Sequence, residues 1–232
     1  MPTATFLSPH LDDAAFSAGA TLAQLVAAGW EVNLVTVFTR SVPHPSGFAL
    51  ACQTDKGLAP GVDYMALRRA EDLAAAACLG LAPDRVFHLD LPEAPHRGYP
   101  DAPSLFAGVL PADRGTQQAV ADAVRRFCGA DRVYLPHGLG NHADHLHVVA
   151  AAAERVPADR RSAWLDTPYV LRCPPEERAL GEPAAAAAFE PAKLDACAAY
   201  ATQLGFQFGG EAAMRETLAG LTERFVRPAG PG

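Results

Sequence analysis

Two short polar segments carry the residue types from which a hydrolytic metal site is built. The first is Pro9-His10-Leu11-Asp12-Asp13 and the second is His142-Ala143-Asp144-His145. Together they offer imidazoles and carboxylates, and a catalytic zinc site needs three such ligands plus one open position for water. Each segment follows a short apolar run that is typical of a β-strand. Because ligands in an open α/β sheet are bound at the carboxyl ends of its strands, the two segments are predicted to meet at one edge of a sheet.

Spacing within the first segment suggests separate roles for its residues. A turn that leaves a strand places residues three apart on one side, so His10 and Asp13 are candidate metal ligands, with His145 as the third. Asp12 then points into the pocket, where it can act as the general base for a metal-activated water.

The second segment supplies groups that could assist the reaction. His142 lies one helical turn before His145 and could stabilise an oxyanion as imidazolium, or protonate the leaving amine. Asp144 could orient or charge a neighbouring histidine. From spacing alone, His137 and His147 remain alternatives to His145 as the third ligand.

Less specific explanations exist for the same residues. An Asp directly after a strand is most often a helix cap, which would account for Asp12 or Asp13 taken singly. A lone His-x-x-His on a helix is more often a solvated face than a metal site. The joint occurrence of the two segments after two predicted strands favours the metal site.

The surrounding pattern predicts alternating strands and helices. Strands are predicted at residues 3–8, 31–38, 85–89, 132–136 and 169–172, and helices at 14–28, 64–79, 116–128, 143–156, 192–204 and 211–225. Residues 184–188 are predicted to form a short helix or linker. Two long segments without periodicity, 39–63 and 92–115, are expected to flank one end of the sheet, and 39–63 is expected to form a lid or rim there.

Composition limits the class of protein. The chain has 232 residues, half of them apolar, which fits one α/β domain over residues 1–232. A formal net charge of -7 argues against nucleic acid or an anionic membrane as the main partner. No leader-like N-terminus or bilayer-length apolar run is present, so a cytoplasmic protein is expected.

The five cysteines are expected to be reduced. They contain no CxxC pair, and an odd number cannot all pair within one chain. Cys78, Cys128 and Cys197 lie in apolar, helix-like segments and are expected to behave as small buried hydrophobic residues.

The quoted segments resemble the signatures of the LmbE-like, or PIG-L, family of zinc-dependent N-deacetylases. That family usually shows Pro-His-Pro-Asp-Asp-Glu after its first strand and His-x-Asp-His at the start of a later helix. Arg68-Arg69-Ala70-Glu71 resembles its second helix, and Tyr200-Ala201-Thr202-Gln203 resembles its late Tyr-x-Ser-Gln motif. The resemblance runs from about residue 3 to residue 205, and it implies a Rossmann-like three-layer sandwich with a mostly parallel central sheet.

The resemblance also assigns roles to the candidate residues. It implies that His10, Asp13 and His145 hold Zn²⁺, although other divalent metals suit the same ligands, with Asp12 as the base and His142 as the electrophilic or acid group. The resemblance thereby favours His145 over His137 and His147 as the third metal ligand.

Two further positions are read from the same resemblance. Arg68 is implied as a substrate contact, while a helix-surface pairing with Asp72 is equally compatible with the sequence. Ala14 departs from the family pattern, because it replaces a Glu that lies beside the metal site in many relatives.

The implied reaction is removal of an N-acetyl group from an amino-sugar conjugate of the N-acetylglucosamine type. The partner would be a small molecule, and a homo-oligomer is compatible with the sequence. Hydrolysis of another N-acyl metabolite is the nearest alternative. A non-catalytic metal- or sugar-binding protein is a second, although Asp12 would then have no purpose. A nucleotide-binding Rossmann protein is disfavoured because no Gly-x-Gly-x-x-Gly loop follows the first strand.

Overall fold

The structure is a computed structural model that describes residues 1–227. Its strands are β1 Thr3–Ser8, β2 Glu31–Thr36, β3 Val86–His88, β4 Arg132–Pro136, β5 Arg161–Trp164, β6 Glu182–Pro183 and β7 Arg224–Val226. Its α-helices are α1 Asp13–Ala27, α2 Gly47–Thr54, α3 Tyr64–Cys78, α4 Ala102–Phe106, α5 Thr116–Val124, α6 Ala143–Arg155, α7 Pro175–Arg178, α8 Glu190–Ala198, α9 Ala201–Phe208 and α10 Glu211–Ala219.

The strands form one sheet in the order β3-β2-β1-β4-β5-β7-β6. The first five of these pair in parallel, and β7 pairs antiparallel with both β5 and β6. The strand order reverses between β1 and β4, which are direct neighbours. In open α/β sheets, ligands bind in the crevice at such a switch point, so the topology places a candidate site where β1 and β4 end.

Helices cover both faces of the sheet. Successive side chains of a strand point to opposite faces, so Phe6 of β1 packs into one core with α1, α3, α8, α9 and α10. Leu7 packs into the other core with α5 and α6. The predicted fold, a three-layer α/β sandwich with a mostly parallel sheet, is confirmed.

The predicted strand at residues 169–172 is wrong. Tyr169–Arg172 is a one-turn 3₁₀ segment, and the strand beside β4 is β5, eight residues earlier. A four-residue apolar run cannot be assigned to strand or helix by periodicity alone. β5 was missed because it is short and begins with Arg161 and Ser162.

Other boundaries also differ from the prediction. The helix predicted at 192–204 is two helices, α8 and α9, separated at Ala199 and Tyr200. The helix predicted at 211–225 ends at Ala219, and the chain then forms β7. Residues 184–188 follow the short strand β6 and end in a 3₁₀ turn, Ala187–Phe189. Both predicted loops contain helices, α2 in 39–63 and α4 in 92–115.

Within residues 1–227 all five cysteines are free thiols, as predicted. Cys128 and Cys197 are buried, but Cys78 is exposed, so its predicted burial is wrong. No helix in the same part of the chain combines the length and apolar character that a membrane span requires.

Candidate metal centre and active site

The turn between β1 and α1 fixes the first polar segment. The Ser8 hydroxyl donates to the carbonyl oxygen of His10 at 2.7 Å and accepts from the backbone N–H of Ala14 at 3.1 Å. The His10 N–H donates to Oδ2 of Asp13 at 2.8 Å. Leu11 is fully buried and anchors the middle of the turn. Asp13 therefore faces back across the turn to His10, and neither aspartate side chain caps α1.

The structure brings His10, Asp13 and His145 together. One oxygen of Asp13, Oδ2, lies 3.1 Å from Nδ1 of His10 and 3.3 Å from Nε2 of His145. One donor atom from each of the three residues lies within 4.8 Å of the other two, and all three residues are buried. Nε2 of His145 is a buried nitrogen without a hydrogen-bond partner. Two imidazoles and a carboxylate with an unused nitrogen form a donor set that suits a divalent metal.

In His10 and His145, the ring nitrogen that does not face Asp13 lies beside a carboxylate. Nε2 of His10 lies 3.0 Å from Oδ2 of Asp144, and Nδ1 of His145 lies 2.6 Å from Oδ1 of Asp166. Asp166 also accepts from the backbone N–H groups of Gly138 and Leu139. Metal-binding histidines almost always have such partners, which fix the ring and its tautomer. The arrangement points Nδ1 of His10 and Nε2 of His145 toward Asp13.

The charges around these groups attract a cation. Burial alone would lower the pKa of His145, but Asp13 and Asp166 raise it from 6.5 to about 9. Burial would likewise lower the pKa of His10, which Asp13 and Asp144 hold well above its usual value. Burial alone would raise the pKa of Asp13, yet His145 and His10 keep it well below the usual range. A positive charge between these side chains is therefore favoured, and a divalent metal supplies one.

Asp12 faces the same cavity but has a different environment. It is 3% exposed, and burial raises its pKa from 3.8 to about 7, against the lowering effect of Arg68. Nη2 of Arg68 lies 3.4 Å from Oδ1, and Nε2 of Gln207 donates to Oδ2 at 3.1 Å. A carboxylate with a pKa near neutrality is matched to proton transfer at physiological pH.

The surroundings of His142 favour a neutral imidazole. Its Nδ1 accepts a hydrogen bond from the backbone N–H of Asp144 at 3.2 Å, so in the neutral ring Nε2 carries the proton. Burial, with the charge of His10, lowers the pKa of His142 well below 6.5. The expected imidazolium is therefore disfavoured, and His142 can serve as a neutral N–H donor.

Asp144 belongs to a buried network behind His10. Its Oδ1 accepts from Nη2 of Arg97 at 2.6 Å, and its Oδ2 also accepts from the N–H of Ala94 at 3.0 Å. Arg97 pairs in turn with Asp113 through two hydrogen bonds of 2.9 Å. His10, His142 and Asp144 form a second possible donor group, but these bonds already occupy both oxygens of Asp144. The group around Asp13 therefore fits a metal better.

The alternative third ligands lie elsewhere. Nε2 of His147 is bonded to Asp113 at 2.9 Å, on the far side of that network. His137 belongs to neither of the two donor groups found among residues 1–227.

Arg68 lines the cavity and is 4% exposed. Its Nη1 pairs with Glu93 at 2.6 Å, and its Nη2 donates to the Leu11 carbonyl at 3.3 Å. The alternative pairing with Asp72 is wrong, because Asp72 accepts hydrogen bonds from His88 and Tyr200 instead. A substrate contact by Arg68 stays a prediction.

The cavity above these residues has a volume of about 340 Å³. Its floor is polar and its rim is largely apolar. The two long segments supply part of that rim, with Phe48 from α2, Lys56 from the turn after α2 and Phe106 from α4. Tyr169 forms another wall. It packs against Gly140, whose φ is +82° and where an added Cβ would lie 3.1 Å from the tyrosine ring.

Several site residues were missed by sequence reasoning. Asp166 follows β5 by two positions, so correct identification of that strand would have revealed it. Gln207 lies one helical turn after Gln203, which the late motif did identify. Glu93 and Arg97 lie in a segment without periodicity, and no local signal marks them.

Comparison with known proteins gives an independent result. A family model described as PIG-L, GlcNAc-PI de-N-acetylase, matches residues 5–156. The chain is 39% identical over 150 residues to 2'-N-acetylparomamine deacetylase of Streptomyces fradiae, a match that covers 62% of this chain. It spans about half, 49%, of the length of that curated relative.

Solved structures agree over nearly the whole chain. The zinc-inhibited form of teicoplanin deacetylase superposes with a TM-score of 0.78 at 26% identity, covering 97% of this chain and 98% of that one. The A40926 pseudoaglycone deacetylase superposes with a TM-score of 0.69 at 27% identity, covering 98% of each chain. The resemblance found in the sequence is confirmed, and the chain belongs to the PIG-L family.

Proposed function

We propose that this protein is a zinc-dependent N-deacetylase that removes the acetyl group from an amino-sugar conjugate. The unpartnered Nε2 of His145, which faces Asp13 and His10 beside the buried base Asp12, is the observation that carries the proposal. His10, Asp13 and His145 would hold the metal. The relatives named above support the substrate class, because their names describe deacetylases of amino-sugar-bearing compounds.

A bound metal would supply Lewis-acid polarisation of the acetamide carbonyl and would make water more acidic. Asp12 would accept a proton from the attacking water as its oxygen forms a bond to the carbonyl carbon. The same carboxyl group would then give that proton to the amide nitrogen as the C–N bond breaks. The second proton of the water stays on the carboxyl product, so the step yields acetic acid and a free amine, which then ionise to acetate and an ammonium ion.

The neighbouring side chains would support these steps. Nε2–H of His142 would donate a hydrogen bond to the developing oxyanion, an interaction that is strongest in a buried site. Arg68, held by Glu93, would orient Asp12 and contact the substrate. Asp144 would act through His10 by fixing its ring.

The unit that performs this reaction is proposed to be one domain of residues 1–232 with a small-molecule partner. One sheet that extends from Thr3 to Val226 supports this view, since both the first and the last strand belong to it. Three residues of α9, Gln203, Phe206 and Gln207, also line the cavity formed at the ends of β1 and β4.

Metal analysis combined with acetate release tests the proposal. The purified protein should contain about one zinc per chain and release acetate from some members of a panel of N-acetylated amino-sugar conjugates. Release of acetate only from N-acetylated amines that carry no sugar would show that the proposed substrate class, amino-sugar conjugates, is wrong. Bound metal with no release from any compound would favour a binding protein.

Matched variants test the ligand assignment. His145→Ala should lose the metal, because the two ligands that remain, His10 and Asp13, are too few to bind zinc tightly. His137→Ala should retain it. If instead His145→Ala kept full occupancy and His137→Ala lost it, the assignment of the third ligand would be wrong.

A further inference from the structure

Arg97 closes the second long segment, residues 92–115, by contacting both of its ends. Nη1 of its guanidinium group donates to the carbonyl oxygen of Pro92 at 2.6 Å. Nε and Nη2 each donate at 2.9 Å to one oxygen of Asp113. A bidentate pair of this kind fixes orientation as well as distance. One side chain therefore joins the beginning of the segment to its end.

The same guanidinium group reaches the carboxylate behind the proposed metal ligand. Nη2 donates to Oδ1 of Asp144 at 2.6 Å, and Oδ2 of Asp144 lies 3.0 Å from Nε2 of His10. The guanidinium carbon also lies 4.8 Å from the ring centroid of Phe38, a fully buried residue just after β2. Every guanidinium nitrogen thus has a partner, and the group packs on a ring that the core holds in place.

The closed segment also faces the cavity. Leu105 and Phe106 of α4 line its wall, and the Phe106 ring meets that of His142 edge-on, with 5.3 Å between centroids. In the same segment, the N–H of Ala94 donates to Asp144. Segment 92–115 therefore contacts the Asp144 carboxylate on one side and the space for a substrate on the other.

The charges in this network are buried, so it tolerates few other geometries. The side chains of Arg97, Asp113 and Asp144 are 9%, 3% and 0% exposed. A buried polar network holds one arrangement when all of its hydrogen bonds are made, and it loses definition when one member is removed. Without Arg97, Asp144 would lose the donor at Oδ1 that opposes its rotation away from His10.

We propose that Arg97 is a positioning residue that joins the metal ligand His10 to segment 92–115. It acts through Asp144, whose contact with Nε2 keeps Nδ1 of His10 turned toward Asp13. Because the same group closes the segment, metal binding and the order of the cavity wall should be coupled, and such coupling is reciprocal. The inference rests on the proposed function, since it requires a metal at His10.

Zinc affinity, measured by competition with a chromophoric chelator, tests the connection. Arg97→Met should weaken zinc binding by about 10-fold, and Asp144→Asn by about 10- to 100-fold, as is typical of residues that support a metal ligand. The double variant should bind zinc no more weakly than Asp144→Asn, because effects within one network are not additive. Arg155→Met is the control and should bind zinc as the wild type does. Arg155 also contacts two carboxylates, those of Asp122 and Glu154, but at the far end of α6 from His145.

Charge and geometry predict opposite results for the same variant. If Arg97 acted only through its charge, its removal would strengthen zinc binding, because a nearby cation repels the metal. Arg97→Lys keeps the charge but cannot span both carboxylates with fixed bonds, so it should still bind zinc more weakly than the wild type. It is also the milder change and gives the answer if Arg97→Met does not fold.

Hydrogen exchange measures the reciprocal effect of the metal on the segment. Added zinc should slow the exchange of backbone amides between residues 94 and 110 in the wild type, and much less in Arg97→Met. A merely structural role of Arg97 would change exchange to the same extent with and without zinc.

Zinc binding by Arg97→Met that equals or exceeds that of the wild type would overturn the inference, even in a fully active deacetylase. Additive losses in the double variant would overturn the route through Asp144. The expected pattern of zinc affinities in a protein that releases no acetate would support the inference and refute only the proposed reaction. A wild type that binds no zinc would overturn both.

Discussion

Asp12 and Asp13 are consecutive carboxylates with opposite pKa shifts. Burial raises the pKa of Asp12 to about 7, while His145 and His10 hold that of Asp13 well below its usual range despite burial. A pair of titratable groups whose environments separate their pKa values often marks distinct chemical roles. The group that stays ionised suits a ligand, and the group that titrates near neutrality suits a base.

Replacement of Asp12 by Asn tests that division. Asp12→Asn keeps the shape of the side chain but cannot accept a proton, so kcat should fall by about 100-fold or more. Zinc content, measured by elemental analysis, should be unchanged because Asp12 is not a proposed ligand. Turnover equal to that of the wild type would remove Asp12 from the mechanism.

Asp166 provides a second test at single-residue resolution. Asp166→Asn should weaken zinc binding by about 10- to 100-fold, since loss of the carboxylate partner of His145 leaves that ring less basic and less ordered. Zinc affinity can be measured by competition with a chromophoric chelator. Asp159→Asn, an exposed aspartate, is the control. Identical affinity in both variants would show that Asp166 has no part in the site.

Among the elements, α1 has an interruption that the sequence does not reveal. Ala18 has non-helical backbone angles, φ -144° and ψ 17°. The carboxylate of Glu223 accepts from the N–H groups of Ala20 and Thr21, and it pairs with Lys193 at 3.0 Å. One buried side chain thus caps the second half of α1 and neutralises a buried lysine.

Removal of that carboxylate should be strongly destabilising. Glu223→Ala should lower the free energy of unfolding by about 3 kcal/mol or more, because it leaves the Lys193 charge buried without a partner. Urea denaturation measures the change. The double variant Glu223→Ala, Lys193→Met should recover part of the loss. Glu216→Ala, on the exposed side of α10, should stay within about 0.5 kcal/mol of wild type.

Equal stability of Glu223→Ala and Glu216→Ala would contradict this account of the α1 interruption. A double variant less stable than Glu223→Ala would contradict the role given to the buried lysine charge.

The elements also show how far sequence reasoning reaches. β1, β2 and β4 were predicted close to their bounds, because they are buried apolar runs followed by strong helix patterns. The short strands β5, β6 and β7 were not, because their two to four residues do not stand out as a separate apolar run, unlike the equally short β3, which was predicted at 85–89. The order of strands and the antiparallel edge depend on long-range packing, which local patterns do not encode.

The difference between local patterns and long-range packing also explains which site residues could be predicted. Residues in the two compact motifs could be predicted because their spacing is local. Gln207 lies 195 positions after Asp12, and the hydrogen bond between them exists only in the folded chain. Arg97 likewise has no motif of its own, although it contacts Asp144.

For the whole molecule, acid stability should depend on Asp113. Burial alone would raise its pKa, but hydrogen bonds from Arg97, Thr116 and His147 lower it from 3.8 to about 2. A lowered pKa stabilises the folded state above the unfolded value, so about 2 kcal/mol is present above pH 4 and is lost as pH falls toward 2.

The difference in unfolding free energy between wild type and Asp113→Asn should therefore shrink between about pH 4 and pH 2. Urea titrations across this range measure that difference, with Asp159→Asn as the control. A difference that is constant with pH would show that Asp113 titrates normally.

Metal removal should also affect the whole molecule. A ligand that binds only the folded state stabilises it by about 2.7 kcal/mol at 100 times its Kd. Chelation should therefore lower Tm by about 5 °C or more for a chain of this size, and added zinc should restore it. His145→Ala should show no such shift. If Tm changed neither with chelator nor with added zinc, the metal would make no contribution to the stability of the fold.

Gly140 lies outside every proposed chemical step, yet it sets the position of Tyr169 and thereby one wall of the cavity. A single methyl group added there would meet the ring and displace it. The displaced ring is also in edge-on contact with His145, with 5.5 Å between ring centroids, and stacks on His142 at 6.5 Å. A change at residue 140 would therefore reach the proposed metal ligand and the proposed oxyanion donor through Tyr169, without touching either residue directly.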